Sequence, residues 1–228
     1  MTAAPKERAT AAFYDVDGTL IKTNVVHAYA YYALNSPYLL EKLTKTAGLL
    51  ASLPLYWLAD KFDRRTFNEA FYKNYAGYTE DRLVVLGEEV FEHVIRPNIF
   101  EGARSLIERS KDQGHRQILI TGALDVITAP LADYLGVDDF VANRLQMKDG
   151  KATGKLEEPV LAGANKALWV RRYAEKHNLD LDGSFAYADS GSDVPLLSVV
   201  GNPCAVNPDF EMKKTARGFD WPILELDS

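Results

Sequence analysis

The chain predicts an α/β fold: a parallel sheet with helices on both faces, interrupted early by an all-helical insertion. Three observations carry this reading. From Phe100 onward, short apolar runs alternate with amphipathic stretches, which is the pattern of strand–helix–strand units. Three of the apolar runs stop abruptly in polar residues: Phe13-Tyr14 in Asp15-Val16-Asp17-Gly18, Ile118-Leu119-Ile120 in Thr121-Gly122, and Phe185-Ala186-Tyr187-Ala188 in Asp189-Ser190-Gly191-Ser192-Asp193. Open α/β sheets bind their ligands at the carboxyl ends of strands, so these three segments are expected to converge. Between Asn24 and Arg96, by contrast, the apolar period is helical throughout.

The elements follow in order. Ala11–Tyr14 reads as a buried first strand. Helices are then expected over Val25–Leu34, Tyr38–Leu50, Arg64–Tyr75 and Glu80–Ile95. Ser36-Pro37 marks a break, Thr79 caps the fourth helix and Pro97 follows its end. Tyr29, Tyr32, Phe67, Phe71 and Phe91 are expected to fill the core of this small bundle. Tyr31, Tyr56 and Trp57 are harder to bury together and are candidates for a pocket or a protein contact. Further on, helices are expected over Gly102–Asp112, Asp125–Leu135, Asn165–Lys176, Ser192–Val199 and Asp209–Ala216, with strands at Gln117–Ile120, Phe140–Ala142, Phe185–Ala188 and Cys204–Val206. Lys148-Asp149-Gly150-Lys151 reads as a hairpin turn, because Asp-Gly supplies the positive φ such turns need.

Composition bounds the function. The 228 residues are 47% hydrophobic and 25% charged, ordinary for a globular protein with a full core. The net charge of −6 argues against nucleic acid as the main partner. The single cysteine, Cys204, excludes an intramolecular disulfide and a cysteine-based zinc cluster. The first residues lack an apolar signal core, so the expectation is a cytoplasmic protein with a flexible tail over residues 1–8. His27, His93, His115 and His177 show no metal or triad spacing.

The strand ends carry the chemistry. Alternation along an extended chain brings Asp15 and Asp17 to one side, and Gly18 lets the backbone turn close to whatever sits there. Two carboxylates that close repel unless a cation or a shared proton offsets them. Asp189 and Asp193 are four apart; with Asp15 they make a hard, oxygen-only cluster suited to Mg²⁺. Lys166 near a helix start adds a positive charge. With four carboxylates, a lysine and one Mg²⁺, a second anion fits only if one acid is protonated, and a protonated acid beside a phosphate ester is a general acid.

Asp15-Val16-Asp17-Gly18-Thr19-Leu20, Thr121, Lys166 and Asp189-Ser190-Gly191-Ser192-Asp193 resemble, in order and spacing, the four motifs of the haloacid dehalogenase-like superfamily. The helical insertion is similar to the type-1 cap of its subfamily IB, the phosphoserine phosphatase-like branch. The resemblance runs from about Ala9 to Ile223. It implies a Rossmann-like core over residues 9–22 and 97–228 and a cap over 23–96. It also implies a Mg²⁺-dependent phosphatase acting through an aspartyl-phosphate. Asp15 is then the nucleophile and Asp17 the general acid and base, its backbone carbonyl also meeting the metal. Gly18, Thr121 and Gly122 hold phosphoryl oxygens, and Lys166 neutralises charge. Asp189 ligates Mg²⁺, and Asp193 does so directly, through water, or acts by orienting Lys166. Lys155, in the hairpin arm, is the alternative lysine, with Lys166 preferred. Thr19 either donates to the phosphate or caps the turn, the structural role being preferred. A phosphomutase or phosphotransferase of the same fold, or a silent metal-binding scaffold, are the alternatives. Dehalogenases of the superfamily lack the second aspartate, so Asp17 argues against carbon–halogen chemistry.

The expected substrate is a small-molecule or lipid-linked phosphate ester. Phosphoserine phosphatases usually carry a glutamate nine residues past the nucleophile, where this chain has Asn24. The apolar segment 47–59 of the insertion is read as cap core, dimer contact or a peripheral membrane contact, and the oligomeric state as monomer or homodimer. Asp63, Arg64 and Arg65 either face the site and select an anionic group or form a solvated helix start.

Overall fold

The computed structural model describes residues 8–34, 43, 46–48, 51–52 and 63–226. Residues 1–7 of the expected 1–8 tail, the Ser36-Pro37 break, most of the expected helix over Tyr38–Leu50, Tyr56, Trp57 and most of the 47–59 segment lie outside the described residues.

Six strands form one parallel sheet: β1 (Ala11–Tyr14), β2 (Arg116–Leu124), β3 (Asp139–Asn143), β6 (Phe185–Ala188), β7 (Asn202–Val206) and β8 (Ile223–Leu224), in the spatial order β3-β2-β1-β6-β7-β8. A separate antiparallel hairpin joins β4 (Leu145–Lys148) to β5 (Lys151–Leu156). The chain runs outward from β1 through β2 and β3, then returns to place β6 on the other side of β1. The strand order therefore reverses between β1 and β6, and a crevice opens at that reversal. The register pairs Tyr14 with Leu119 on one side and with Tyr187 on the other, so the carboxyl ends of β1 and β6 finish together.

Alternation along β1 splits the core. Ala12 and Tyr14 face the larger cluster, shared with the helical insertion, and Ala11 and Phe13 face the other. Both faces are buried, as expected of a central parallel strand. Helices α4 (Glu101–Asp112), α5 (Asp125–Leu135), α6 (Ala164–His177), α7 (Val194–Leu197) and α8 (Phe210–Gly218) flank the sheet.

The described part of the insertion holds α1 (Val25–Leu34), α2 (Arg64–Phe71) and α3 (Glu80–Val90). Tyr29, Tyr32, Phe67, Phe71 and Phe91 are buried in its core, as expected. Tyr31 stacks on His93, with ring centroids 5.6 Å apart. Two expected helices are shorter. The one beginning at Arg64 tightens into a 3₁₀ turn over Tyr72–Tyr75, and the one beginning at Glu80 passes into a π-helical turn over Phe91–Ile95 before Pro97. The expected helix at Ser192 begins as a 3₁₀ turn, Gly191–Asp193. Strand β2 outruns its apolar stretch. Its pairing with β3 slips between Ile120 and Leu124, and this irregularity places Thr121-Gly122 in a bulge. The hairpin turn is as expected, with Asp149 and Gly150 at positive φ.

Candidate active site

A cavity of about 250 Å³ opens at the β1/β6 reversal. Its wall includes Asp15, Asp17, Gly18, Gly122, Lys166, Asp189 and Asp193, so three strand ends and the start of α6 converge as the sequence implied. Lys166 Nζ donates to Asp15 Oδ1 at 2.6 Å and to Asp193 Oδ2 at 2.8 Å, with all three side chains almost fully buried. Lys155 is exposed on β5, so Lys166 is the lysine of the site.

Local structure fixes each group. Asp15 follows β1 directly, and its N–H donates to the Tyr187 carbonyl at 2.9 Å, continuing the parallel pairing one residue past the strand. Gly18 has a φ of +85°, and a Cβ there would lie 2.2 Å from Asp189 Oδ2. Only glycine combines that backbone with that approach. Lys166 is held near the start of α6 by the helix backbone itself, its N–H donating to the Gly163 carbonyl at 3.1 Å.

The electrostatics follow from burial. Burial, then the neighbouring Asp15 charge, pushes the Asp17 carboxyl up to about 7, with Arg64 and Lys166 opposing. Burial, then Asp15 and Asp193, pushes Asp189 up to about 8. Asp193 is raised by burial, against the pull of Lys166. Burial works against the Lys166 charge, but Asp15 and Asp193 more than offset it and raise its pKa. The protein thus offers the site an ammonium that stays charged and carboxyl groups that share protons near neutrality.

The donor set fits a hydrated Mg²⁺. Asp193 Oδ1 is buried without a hydrogen-bond partner, and Asp15 and Asp189 are linked through the Thr19 hydroxyl. Among the described residues, no three carboxylate, histidine or cysteine side chains close into a complete metal cage. Mg²⁺ commonly completes its shell with waters and substrate oxygens, so the unpartnered Asp193 Oδ1 is what speaks for the fit.

Thr121 is not brought to the wall. It is fully buried and its Oγ1 accepts from the Ala123 N–H at 3.0 Å, while Gly122 lines the cavity. Its hydroxyl serves the bulge in β2, a consequence of the pairing slip that its sequence neighbours do not reveal. Thr19 does more than cap a turn, because its hydroxyl lies 3.1 Å from both Asp15 Oδ2 and Asp189 Oδ1. Asp63, Arg64 and Arg65 divide. Asp63 caps α2, Arg65 pairs with Glu69 and Glu158 away from the cavity, and Arg64 lines it.

Asn207, Asn143 and Asn68 carried no signal in the sequence, whereas Asn24 stood out by its place nine residues past Asp15. Asn207, at positive φ after β7, donates to the carbonyls of Gly18 and Thr19 at 3.5 and 3.3 Å. Asn143 donates to the Gly122 carbonyl at 2.9 Å and accepts from Leu161 N–H at 2.8 Å, tying two cavity loops together. Asn68, from α2, also lines the cavity. Asn24 lies at the rim, where its Oδ1 accepts from Val26 N–H at 3.1 Å and so caps α1.

This arrangement has close parallels. The model of the haloacid dehalogenase-like hydrolases matches residues 12–198. Phosphoserine phosphatase SerB1 of Mycobacterium tuberculosis is 32% identical over 226 residues, spanning 97% of this chain and 72% of the relative. Histidinol-phosphatase of Neisseria meningitidis is 26% identical over 241 residues, spanning 94% of this chain and 98% of the relative. A phosphoserine phosphatase structure described as a phospho-aspartyl intermediate analogue superposes with a TM-score of 0.73 at 20% identity, covering 97% of this chain and 96% of that one. The first of these relatives and the matched motifs concern nearly the whole chain, and the protein belongs to the haloacid dehalogenase-like hydrolase family.

Proposed function

We propose that the protein is a Mg²⁺-dependent phosphomonoesterase that works through an aspartyl-phosphate on Asp15. The observation that carries this reading is the triad of buried charges at the strand reversal: Asp15 held by Lys166, and Lys166 held in turn by Asp193. Phosphoryl transfer asks for placement and charge compensation more than for covalent chemistry, and this site is built of both.

In the proposed reaction a carboxylate oxygen of Asp15 attacks phosphorus in line with the ester oxygen. The P–O bond to the leaving group breaks as the new O–P bond forms. Asp17, protonated near neutrality because its carboxyl is raised to about 7, gives its proton to the departing alkoxide. The resulting carboxylate then takes a proton from water, which attacks the same phosphorus and releases inorganic phosphate, restoring Asp15. Lys166 holds the attacking carboxylate in place and balances its charge. Gly18 and Gly122 offer backbone at close range for phosphoryl oxygens. Asp15, Asp189, the backbone carbonyl of Asp17 and, directly or through water, Asp193 would hold Mg²⁺, which supplies Lewis-acid stabilisation of the phosphoryl charge when bound. The helical insertion, over residues 23–96, acts as the cap that excludes water during attack and readmits it for hydrolysis.

The substrate is proposed to be a small-molecule or lipid-linked phosphate ester. Asn24, committed to capping α1, brings no negative charge where phosphoserine phosphatases place one, and Arg64 brings a positive charge to the cavity wall. Both features favour an anionic leaving group over one recognised by its ammonium.

The test is phosphate release with and without Mg²⁺ over phosphoserine, histidinol phosphate, sugar phosphates, a phosphatidylglycerol phosphate and an aryl phosphate. Metal-dependent turnover that disappears in Asp15→Asn is the expected result. Absence of turnover on every ester would overturn the reading in favour of a silent metal-binding module.

A further inference from the structure

Asn68 is the one buried amide of the cavity wall that makes no hydrogen bond through its nitrogen among the described residues. It is 1% exposed, and its Nδ2 has no partner. Buried amide donors are nearly always paired, so an unpaired one on a residue of the cavity wall marks a place for a ligand acceptor.

Its position says which acceptor. Asp63 caps α2 and sets the helix phase, so Arg64, Asn68 and Tyr72 follow one another at four-residue spacing along one face. Tyr72 pins that face to the core, its hydroxyl donating to the Gly122 carbonyl at 2.9 Å. Phe67 and Phe71, stacked with centroids 5.5 Å apart, hold another face in the cap core. Asn68 is left pointing at the bare backbone of Gly122: a Cβ built there would lie 3.0 Å from Asn68 Nδ2. Gly122 lines the same cavity as Asp15 and Lys166.

We propose that Asn68 is a substrate-binding residue whose Nδ2 donates to a phosphoryl oxygen, so that the cap supplies part of the phosphate cradle. The inference rests on the phosphatase reading above for the identity of the anion. It gives the insertion a second task beyond excluding water: the cradle is complete only when α2 sits against Gly122.

Binding of inorganic phosphate in the presence of Mg²⁺, measured by calorimetry on the full chain, tests this without requiring turnover. A hydrogen bond to a charged group corresponds to about 10- to 100-fold in affinity, so Asn68→Leu and Asn68→Ala should weaken phosphate binding by that factor. Asn68→Asp should weaken it further by repulsion. A purely structural asparagine behaves differently. Because Nδ2 bonds nothing among the described residues, Asn68→Leu should melt at or above the wild-type temperature while losing phosphate. Should the leucine variant not fold, Asn68→Ala carries the same comparison. Unchanged phosphate affinity in a folded variant overturns the inference, as does a wild type that binds no phosphate. A wild type that binds phosphate and loses it in Asn68→Leu, yet hydrolyses no ester, sinks the phosphatase reading and leaves the Asn68 contact standing.

Discussion

At the scale of single residues, the site is made by close approaches that allow little substitution. Gly18 is the clearest. Its φ of +85° is strained for any other residue, and a methyl group there would stand 2.2 Å from Asp189 Oδ2. Gly18→Ala should therefore displace Asp189, abolish the rise in melting temperature on adding Mg²⁺, and lower turnover at least ~100-fold, a loss typical of a misplaced catalytic group. A variant retaining the Mg²⁺ shift would show that Asp189 had not moved. Lys166 poses a different problem. Its ammonium is the shared partner of two buried carboxylates. Removing one partner from such a network leaves buried charge uncompensated, at a cost of about 3–5 kcal/mol. Lys166→Met should lower the urea midpoint of the metal-free protein accordingly, and adding Asp193→Asn should recover part of the loss. A double variant no more stable than Lys166→Met would count against the coupling. The convergence of Asp15, Asp17, Lys166, Asp189 and Asp193 on one cavity was legible in the sequence because residue type and strand-end position mark them. Asn68, Asn143 and Asn207 were not. An asparagine is ordinary at any loop or helix, and only long-range contacts, such as Asn207 meeting the carbonyls of Gly18 and Thr19, give it a role.

At the scale of elements, the order of strands and helices was legible because apolar periodicity is local. What the sequence hid depends on a neighbour. The bulge at Thr121-Gly122 arises from the β2–β3 pairing, and it turns the Thr121 hydroxyl onto Ala123. The π-helical turn Phe91–Ile95 continues a helical period without a break in hydrophobicity, so the pattern there reads as one helix. Gly87 belongs to the same class. Within α3 it reads as a weak spot, but in the fold it is where the insertion rests on the core. A Cβ at Gly87 would fall 1.9 Å from the Val126 carbonyl oxygen in α5. Backbone meets backbone there, so no side chain can yield. Gly87→Ala should push α3 off α5 and destabilise the protein by about 1–3 kcal/mol, despite alanine's better helix propensity. Chemical denaturation decides this: a midpoint equal to or above wild type would mean that the two helices are free to separate.

At the scale of the whole molecule, the sheet brings carboxylates from distant parts of the sequence into one poorly solvated crevice, and this couples folding to protons and metal. In the metal-free protein the Asp17 and Asp189 carboxyls, raised to about 7 and about 8, keep protons that the unfolded chain releases near the ordinary aspartate value of about 4. The folded state then binds more protons than the unfolded state across that interval. Stability must decline as pH rises from about 4 and level off above about 8. His115 acts in the opposite sense. Burial lowers its pKa, so it costs stability as pH falls below its ordinary value of about 6.5. The raw pH profile therefore mixes the two, but Mg²⁺ should separate them, because the proposed metal site uses the carboxylates and not His115. Metal binding requires deprotonated ligands and releases their protons. The rise in melting temperature produced by millimolar Mg²⁺ should thus be larger near about pH 8.5 than near about pH 5.5, where protons compete for the same oxygens. Asp189→Asn should flatten that difference, since it removes the most strongly raised of the two carboxyls, whereas His115→Gln should leave it intact and change only the acid limb of the metal-free profile. A Mg²⁺ shift independent of pH, or one that survives Asp189→Asn unchanged, would place the cation away from the strand reversal and leave the buried carboxylates without their counter-charge.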